Sequence, residues 1–152
     1  PSIPAVSISN IKISTTERST AITANMYSEG RETPVRIEKT ERAVTMESMG
    51  VRAETQDILE LDSSGLFIKR NETRKRLDIL PHHVNKTVKG VIDSVDRMEI
   101  KLEDKPVYHV KGRKTGNLLW FIPVILDIDV EVNANTGSIE NIARPWWSFL
   151  VF

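Results

Sequence analysis

The sequence predicts an α+β protein. An antiparallel meander of short strands is expected in the N-terminal half, and one helix followed by a long-stranded antiparallel sheet in the C-terminal half. Short apolar alternations separated by turn residues recur through residues 1–80, as in a sheet with one buried face. After Pro81, apolar residues recur at helical spacing, and alternation returns from Met98. The predicted parts are 1–80 and 81–152, either separate or joined in one continuous domain.

The N-terminal strands are predicted from alternation between turn signals. Strands at 58–61 and 66–69 flank the turn 62–65, where Gly65 can take a positive φ at little cost. A second turn at 71–73 leads into the next strand. No apolar run before residue 80 keeps helical spacing, so we expect no helix longer than two turns there.

A helix is predicted over residues 81–95. Its apolar face would consist of Val84, Val88, Val91, Ile92 and Val95. Gly90 costs about 1 kcal/mol relative to Ala, and β-branched side chains are stiff in a helix. Packing against the rest of the protein would therefore have to hold this helix.

A long alternation follows, in which every second residue from Leu118 to Val132 is apolar. These eight side chains would share one face of a strand. The intervening residues are mainly apolar up to Ile125 and acidic from Asp127, so we expect the first half to be covered on both faces and the second on one. The run exceeds the usual strand length, which predicts a break or bulge near Pro123.

The chain from 130 to 139 reads Val-Glu-Val-Asn-Ala-Asn-Thr-Gly-Ser-Ile, and the segment Lys-Pro-Val-Tyr at 105–108 precedes it. With the predicted helix, these residues resemble the PepSY domain over about residues 81–143. Gly137 would supply the positive φ that reverses the chain in the closing hairpin. Asn133 stands where the family usually has Asp, and residues 117–123 look like an apolar insertion.

The resemblance implies a non-catalytic, extracytoplasmic binding or regulatory module, secreted or membrane-anchored. PepSY domains occur in propeptides of thermolysin-type proteases and in extracytoplasmic parts of membrane proteins. The implied role is therefore protease-inhibitory or envelope-associated, with a protein or cell-envelope component as partner. Two alternatives stay open. One is a sensor or spacer ectodomain of a membrane-anchored protein, and the other is an enzyme of unrecognised class that uses His82, His83 and Asp93.

Composition and sequence motifs argue against several classes of function. Lys plus Arg and Asp plus Glu each number 21, so the net charge is zero, which argues against a nucleic-acid binder. No segment reaches the roughly 18 apolar residues of a membrane span. The absent initiator Met suggests a trimmed chain from which a signal or anchor was removed. Nucleophile-elbow, phosphate-loop and dinucleotide motifs are lacking, so we expect no enzyme activity and no catalytic residue. Asn71 and Asn85 fit the glycosylation acceptor pattern.

Two groups of residues are candidate metal ligands. They are Asp127, Asp129 and Glu131 on one strand face, and His82, His83 and His109. Calcium takes about six to eight oxygens from a curved loop, which a straight strand does not supply. The histidines lack the spacing of known zinc motifs. We therefore predict no metal and no cofactor, with solvated acidic residues and histidines at the surface or at the start of the helix.

Two stretches are candidate partner-binding surfaces. The first is a basic hairpin with Arg70, Arg74 and Arg76, opposed in sequence only by Glu72, for which solvation is favoured over anion binding. The second is the C-terminal stretch 145–152.

The C-terminal stretch contains Trp146, Trp147 and Phe149. We predict that it closes the core. A docking patch, or the interfacial start of a removed membrane segment, are the alternatives.

Overall fold

The computed structural model describes residues 7–28 and 30–152. Of these residues, 64% lie in strands and 9% in helices. The protein is therefore mostly β, and the predicted α+β class is wrong. The antiparallel sheet content is confirmed.

Twelve strands form two sheets in the described part of the chain. The first five are β1 (Ser7–Thr15), β2 (Thr20–Ser28), β3 (Arg31–Lys39), β4 (Val44–Ser48) and β5 (Val51–Thr55). A three-stranded sheet follows, with β6 (Ile58–Asp62), β7 (Gly65–Arg70) and β8 (Thr73–Leu77). After the helix α1 (Pro81–Val88) come β9 (Ser94–Leu102), β10 (Pro106–Leu118), β11 (Ile122–Asn133) and β12 (Ile139–Ala143).

The larger sheet has nine strands in the order β1-β2-β3-β4-β5-β9-β10-β11-β12. All neighbouring strands are antiparallel except β5 and β9, which run parallel through the pairs Glu54↔Glu99 and Thr55↔Ile100. The chain between β5 and β9 contains the small sheet and α1. Strands from both sides of residue 80 thus belong to one sheet.

One face of the large sheet is apolar and the other is charged, as the period of two requires. Ile37, Met46 and Ala53 lie side by side across β3, β4 and β5, and all three are buried. On the opposite face, Arg52 of β5 pairs with Glu47 of β4 at 2.8 Å. The alternation of apolar and charged residues in these strands therefore matches the two faces of the sheet.

Buried residues of both sheets and of α1 form one hydrophobic cluster. In the described part of the chain its members are aliphatic apart from Tyr108, and no Phe or Trp is fully buried. Tyr108 is wholly inaccessible, and its hydroxyl donates a hydrogen bond to the Ile79 carbonyl at 2.6 Å. This bond ties β10 to the segment between β8 and α1.

The helix α1 ends at Val88, seven residues before the predicted end. Beyond it, the N–H groups of Val91 and Ile92 both donate to the Val88 carbonyl, at 2.8 and 2.9 Å, and β9 begins at Ser94. Gly90 and the β-branched residues after it favour leaving the helix. Ile92 is nevertheless buried, so its apolar character reflects the core and not a longer helix.

The long alternation from Leu118 to Val132 is not one strand. β10 ends at Leu118, residues 119–121 form a turn, and β11 begins at Ile122. The predicted break near Pro123 is confirmed, but the expectation that the first half is covered on both faces is wrong. Trp120 is 71% exposed. Apolar residues occupy the turn itself, which made the hairpin look like a single buried strand.

The turn after β11 has the predicted geometry. Gly137 has φ 77°, and its N–H donates to the Asn133 carbonyl at 2.8 Å. The helices in the described part of the chain do not span a membrane, since none combines the required length with the required apolar character.

Candidate functional site

An exposed apolar surface lies at the turn between β10 and β11. Eight large apolar side chains there are between 41% and 82% exposed. We call this surface the aromatic end; it consists of Leu119, Trp120, Phe121, Ile122, Ile125, Trp146, Phe149 and Phe152. It includes five of the chain's seven Phe and Trp residues. The aromatic residues that most chains of this size bury are therefore presented to the outside at one place.

Main-chain bonds join the β10–β11 hairpin to the C-terminal segment. After a 3₁₀ helix (Trp146–Leu150), Val151 forms a β-bridge with Leu118. Phe152 exchanges two backbone hydrogen bonds with Asn117, at 3.0 and 2.9 Å. The rings of Trp120 and Phe152 stack with centroids 4.3 Å apart. The two segments thus form one continuous surface.

The C-terminal segment divides between the core and solvent. Trp147 and Val151 are partly buried and pack against the core. Trp146 is 82% exposed and Phe149 is 68% exposed. The predicted core closure therefore holds for Trp147 and Val151, whereas Trp146 and Phe149 belong to the aromatic end.

The turn of the hairpin has an unusual backbone for its residues. Leu119 and Trp120 have φ values of 51° and 73°. Tight hairpins with positive φ at such positions normally use Asn and Gly, and a left-handed conformation costs other residues roughly 1–2 kcal/mol each. Neither folding nor solubility favours Leu and Trp here. Such local strain is typical of functional surfaces.

Charged side chains are absent from the two segments that build the aromatic end, residues 115–126 and 145–152. Lys114, Arg144 and Asp127 are the first charged residues at its border. Nearby, Arg113 pairs with Asp96 at 3.0 Å. The border therefore carries both signs.

Asp93 is hydrogen-bonded to β10 beside the aromatic end. Its carboxylate accepts hydrogen bonds from the N–H and the hydroxyl of Thr115, at 2.7 and 2.9 Å. The N–H bond and then the hydroxyl bond hold the pKa of Asp93 below its ordinary value. An open groove of about 680 Å³ lies beside these residues, lined by Thr115, Gly116 and Phe152 among others.

The basic hairpin is engaged within its own sheet. Arg74 pairs with Glu60 at 2.8 Å and with Asp62 at 3.2 Å, and its guanidinium lies 3.6 Å from the ring centroid of Phe67. Hydrogen bonds from the side chain and N–H of Ser64 are the main causes that lower the pKa of Asp62.

The other two predicted arginines have partners as well. Arg76 donates to the Ser64 carbonyl at 3.1 Å, and Arg70 lies 3.7 Å from Asp57. The expectation that only Glu72 opposes this basic group is therefore wrong. Its acidic neighbours come from β6 and the segment before it, which sequence proximity did not reveal.

The predicted acidic row lies on the charged face of the large sheet. Asp127, Asp129 and Glu131 stand opposite Arg113, Lys111 and His109 in the register of β10 and β11. His109 lies 3.6 Å from Glu131. In residues 7–28 and 30–152, no cluster of three or more His, Cys, Asp or Glu residues could hold a metal ion.

His82 and His83 lie at the start of α1, with ring centroids 4.0 Å apart. Nδ1 of His82 lies 2.8 Å from the buried hydroxyl of Ser48, which also accepts the His82 backbone N–H at 3.1 Å. Burial, with His83 as a second cause, lowers the pKa of His82. Both histidines line a cleft of about 720 Å³. Asp93, the third residue of the enzyme alternative, instead bonds Thr115.

Comparison with models of known protein families, with curated proteins and with solved structures found no match.

Five members of the aromatic end other than the C-terminal residues were missed from the sequence, namely Leu119, Trp120, Phe121, Ile122 and Ile125. Their alternation was interpreted as a buried strand. The available signal was the combination of three adjacent large apolar residues with the predicted break in the strand. A break places its residues in a turn, and turns lie at the surface.

Proposed function

We propose that this protein is a non-catalytic, extracytoplasmic binding module that attaches to the cell envelope through its aromatic end. One observation carries the proposal: five of the seven Phe and Trp residues are exposed together, while the core of the described chain buries neither residue type fully. The extracytoplasmic setting and the PepSY resemblance of residues 81–143 enter the proposal as predictions from the sequence.

The size of the aromatic end supports a binding role. An aromatic side chain offers about 150–250 Å² of surface, and fully burying a large apolar side chain is worth roughly 1.5–3 kcal/mol. Monomeric proteins rarely expose contiguous apolar patches beyond about 300–600 Å² unless the patch is functional. Association that covers even part of the aromatic end would therefore be favourable.

The chemistry of the aromatic end supports a non-catalytic role. None of its eight members carries an acid, a base or a nucleophile, which catalysis by side chains requires. In the basic hairpin, Arg70 and Arg74 form ion pairs within the protein, and Arg76 donates a hydrogen bond to the Ser64 carbonyl. Binding by apolar contact is the activity that this surface can perform.

Cosedimentation with an isolated cell-envelope fraction tests the proposal. We expect the intact protein to sediment with the membranes, and the double variant Trp146→Ser/Phe149→Ser to bind at least tenfold more weakly. Both side chains are more than two-thirds exposed, so the variant should keep its melting temperature.

Ile58→Ser provides the matched control, since Ile58 is 57% exposed on the small sheet and outside the aromatic end. It should bind like the intact protein. Equal binding by the double variant would show that the aromatic end is not the attachment surface.

A further inference from the structure

We infer that the occupant of the aromatic end is the interfacial layer of a lipid bilayer, and that the lipids are bound without a preference for negative charge. This inference rests on the proposed function, which makes the aromatic end the attachment surface. Four features of the hairpin and its border carry it.

The first feature is the shape of the hairpin. The last pair between β9 and β10 is Ser94↔Arg113, whereas β10 continues to Leu118. At about 3.3 Å per residue, the hairpin extends roughly 16 Å beyond Ser94, the first residue of β9. Interfacial protein segments bury their apolar face about 5–10 Å into a bilayer. The projecting part is therefore long enough to insert, with the rest of the sheet outside.

The second feature is the backbone of the projecting part. β9 leaves the edge of β10 open beyond Arg113, and the C-terminal segment covers it through Asn117, Leu118 and Leu119. The N–H of Phe121 bonds the Leu118 carbonyl at 3.2 Å within the turn. An apolar medium requires backbone polar groups to be paired internally. The opposite edge of the hairpin, residues 122–128 of β11, has no strand partner in the described chain, because β12 pairs with β11 only from Asp129 to Val132. The turn and the edge bonded to the C-terminal segment are therefore the parts of the hairpin that meet this requirement.

The third feature is the side-chain chemistry. Trp is enriched where bilayer meets water, because its ring is apolar and its N–H is polar. Trp120 and Trp146 are 71% and 82% exposed, and Phe121 stands between Trp120 and Ile122 in the turn region. A charged side chain in hydrocarbon costs about 2.5–3.5 kcal/mol by insertion scales. Residues 115–126 and 145–152 contain none.

The fourth feature is the border. Lys114 and Arg144 are positive, Asp127 is negative, and Arg113 is paired with Asp96. These residues would meet the lipid headgroups when the apolar residues insert. Because both signs are present, we infer no requirement for anionic lipid and little dependence on salt.

Binding to protein-free phosphatidylcholine vesicles tests this inference. All three tryptophans lie at or beside the aromatic end, so insertion should shift the fluorescence to shorter wavelength. Brominated lipids should quench this emission. The apparent affinity should change less than twofold between 50 and 500 mM NaCl. Phe121→Asp should weaken vesicle binding at least tenfold, with Ile58→Ser as the unaffected control.

The outcomes separate the inference from the proposed function. Aromatic-end-dependent binding to envelope fractions without binding to lipid vesicles would overturn the lipid inference, because the occupant would then be an envelope protein. Binding that requires anionic lipid and disappears in salt would also overturn it. Failure to bind either vesicles or envelope fractions would overturn both, as would a stable dimer that buries the aromatic end.

Discussion

Replacing Tyr108 by Ala is expected to lower the free energy of unfolding by about 3–5 kcal/mol, the range for removing a buried aromatic side chain. Tyr108 is wholly buried in β10, and its hydroxyl bonds the Ile79 carbonyl at 2.6 Å. Burial raises its pKa, so the hydroxyl stays protonated and remains a donor. The substitution removes both the packing and the tie to the segment before α1. Urea denaturation monitored by circular dichroism measures the effect.

Tyr108→Phe separates these two contributions. It keeps the ring but leaves the part-buried Ile79 carbonyl without this donor, and an unsatisfied carbonyl costs up to about 1–3 kcal/mol. We expect it to be less destabilising than Tyr108→Ala. If both substitutions cost less than about 1 kcal/mol, then Tyr108 is not a central part of the core.

Gly112→Ala is expected to destabilise the protein by about 1–3 kcal/mol, as overpacking does in a well-packed core. A methyl group at Gly112 would lie 2.6 Å from the Ser94 carbonyl oxygen and would also overlap the Ile92 side chain. The register of β9 and β10 shifts at this point. Because the Ser94 carbonyl oxygen belongs to the backbone of β9, this overlap can be removed only by moving a central strand of the sheet.

Gly90→Ala is the matched control. A methyl group there meets only the Thr87 carbonyl oxygen, at an ordinary 3.6 Å. Replacement of Gly at a compatible position stabilises by about 0.4–1 kcal/mol through the unfolded chain. Thermal melts of the two variants should therefore move in opposite directions. Equal melting temperatures of the two variants would mean that β9 can shift at Ser94 to accommodate the methyl group at little cost in free energy.

Local features of the fold were readable in the sequence because short-range chemistry determines them. Turn residues at 62–65 and 71–73 identified the hairpins of the small sheet, and Gly137 identified the reversal after β11. The helix was predicted too long because Val91 and Ile92 match helical spacing. Both residues follow the end of the helix, where Ile92 is buried in the core and Val91 packs against it.

The pairing of β5 with β9 had no local signal. Glu54 and Thr55 meet Glu99 and Ile100, about 45 residues further along the chain. Alternation predicts that a strand exists and which face is buried, but it does not specify a distant neighbour. The number of strands in the larger sheet could therefore not be predicted from the sequence.

The exposure of the aromatic end was not the preferred prediction. Trp146 and Phe149 were expected to close the core, with a docking patch as an alternative, and Trp120 and Phe121 were assigned to a buried strand. The hairpin turn uses side chains that break the usual turn chemistry. Sequence rules describe what favours folding, and they fail where exposed residues do not serve folding.

The parallel junction between β5 and β9 has a consequence for folding kinetics. It contains two register pairs, whereas β4 with β5 has five and β10 with β11 has twelve. The strands on either side can pair through short loops, but the junction must close a long one, which costs entropy and slows folding. We expect it to form last and to open first.

Native-state hydrogen exchange would show this order. Amides of β5 should exchange through partial openings, before those at the centre of the β10–β11 pair. Identical exchange free energies in both places would mean that the nine strands open as one cooperative unit. Earlier exchange of the β5 amides would instead show that the continuous sheet consists of two units that fold one after the other.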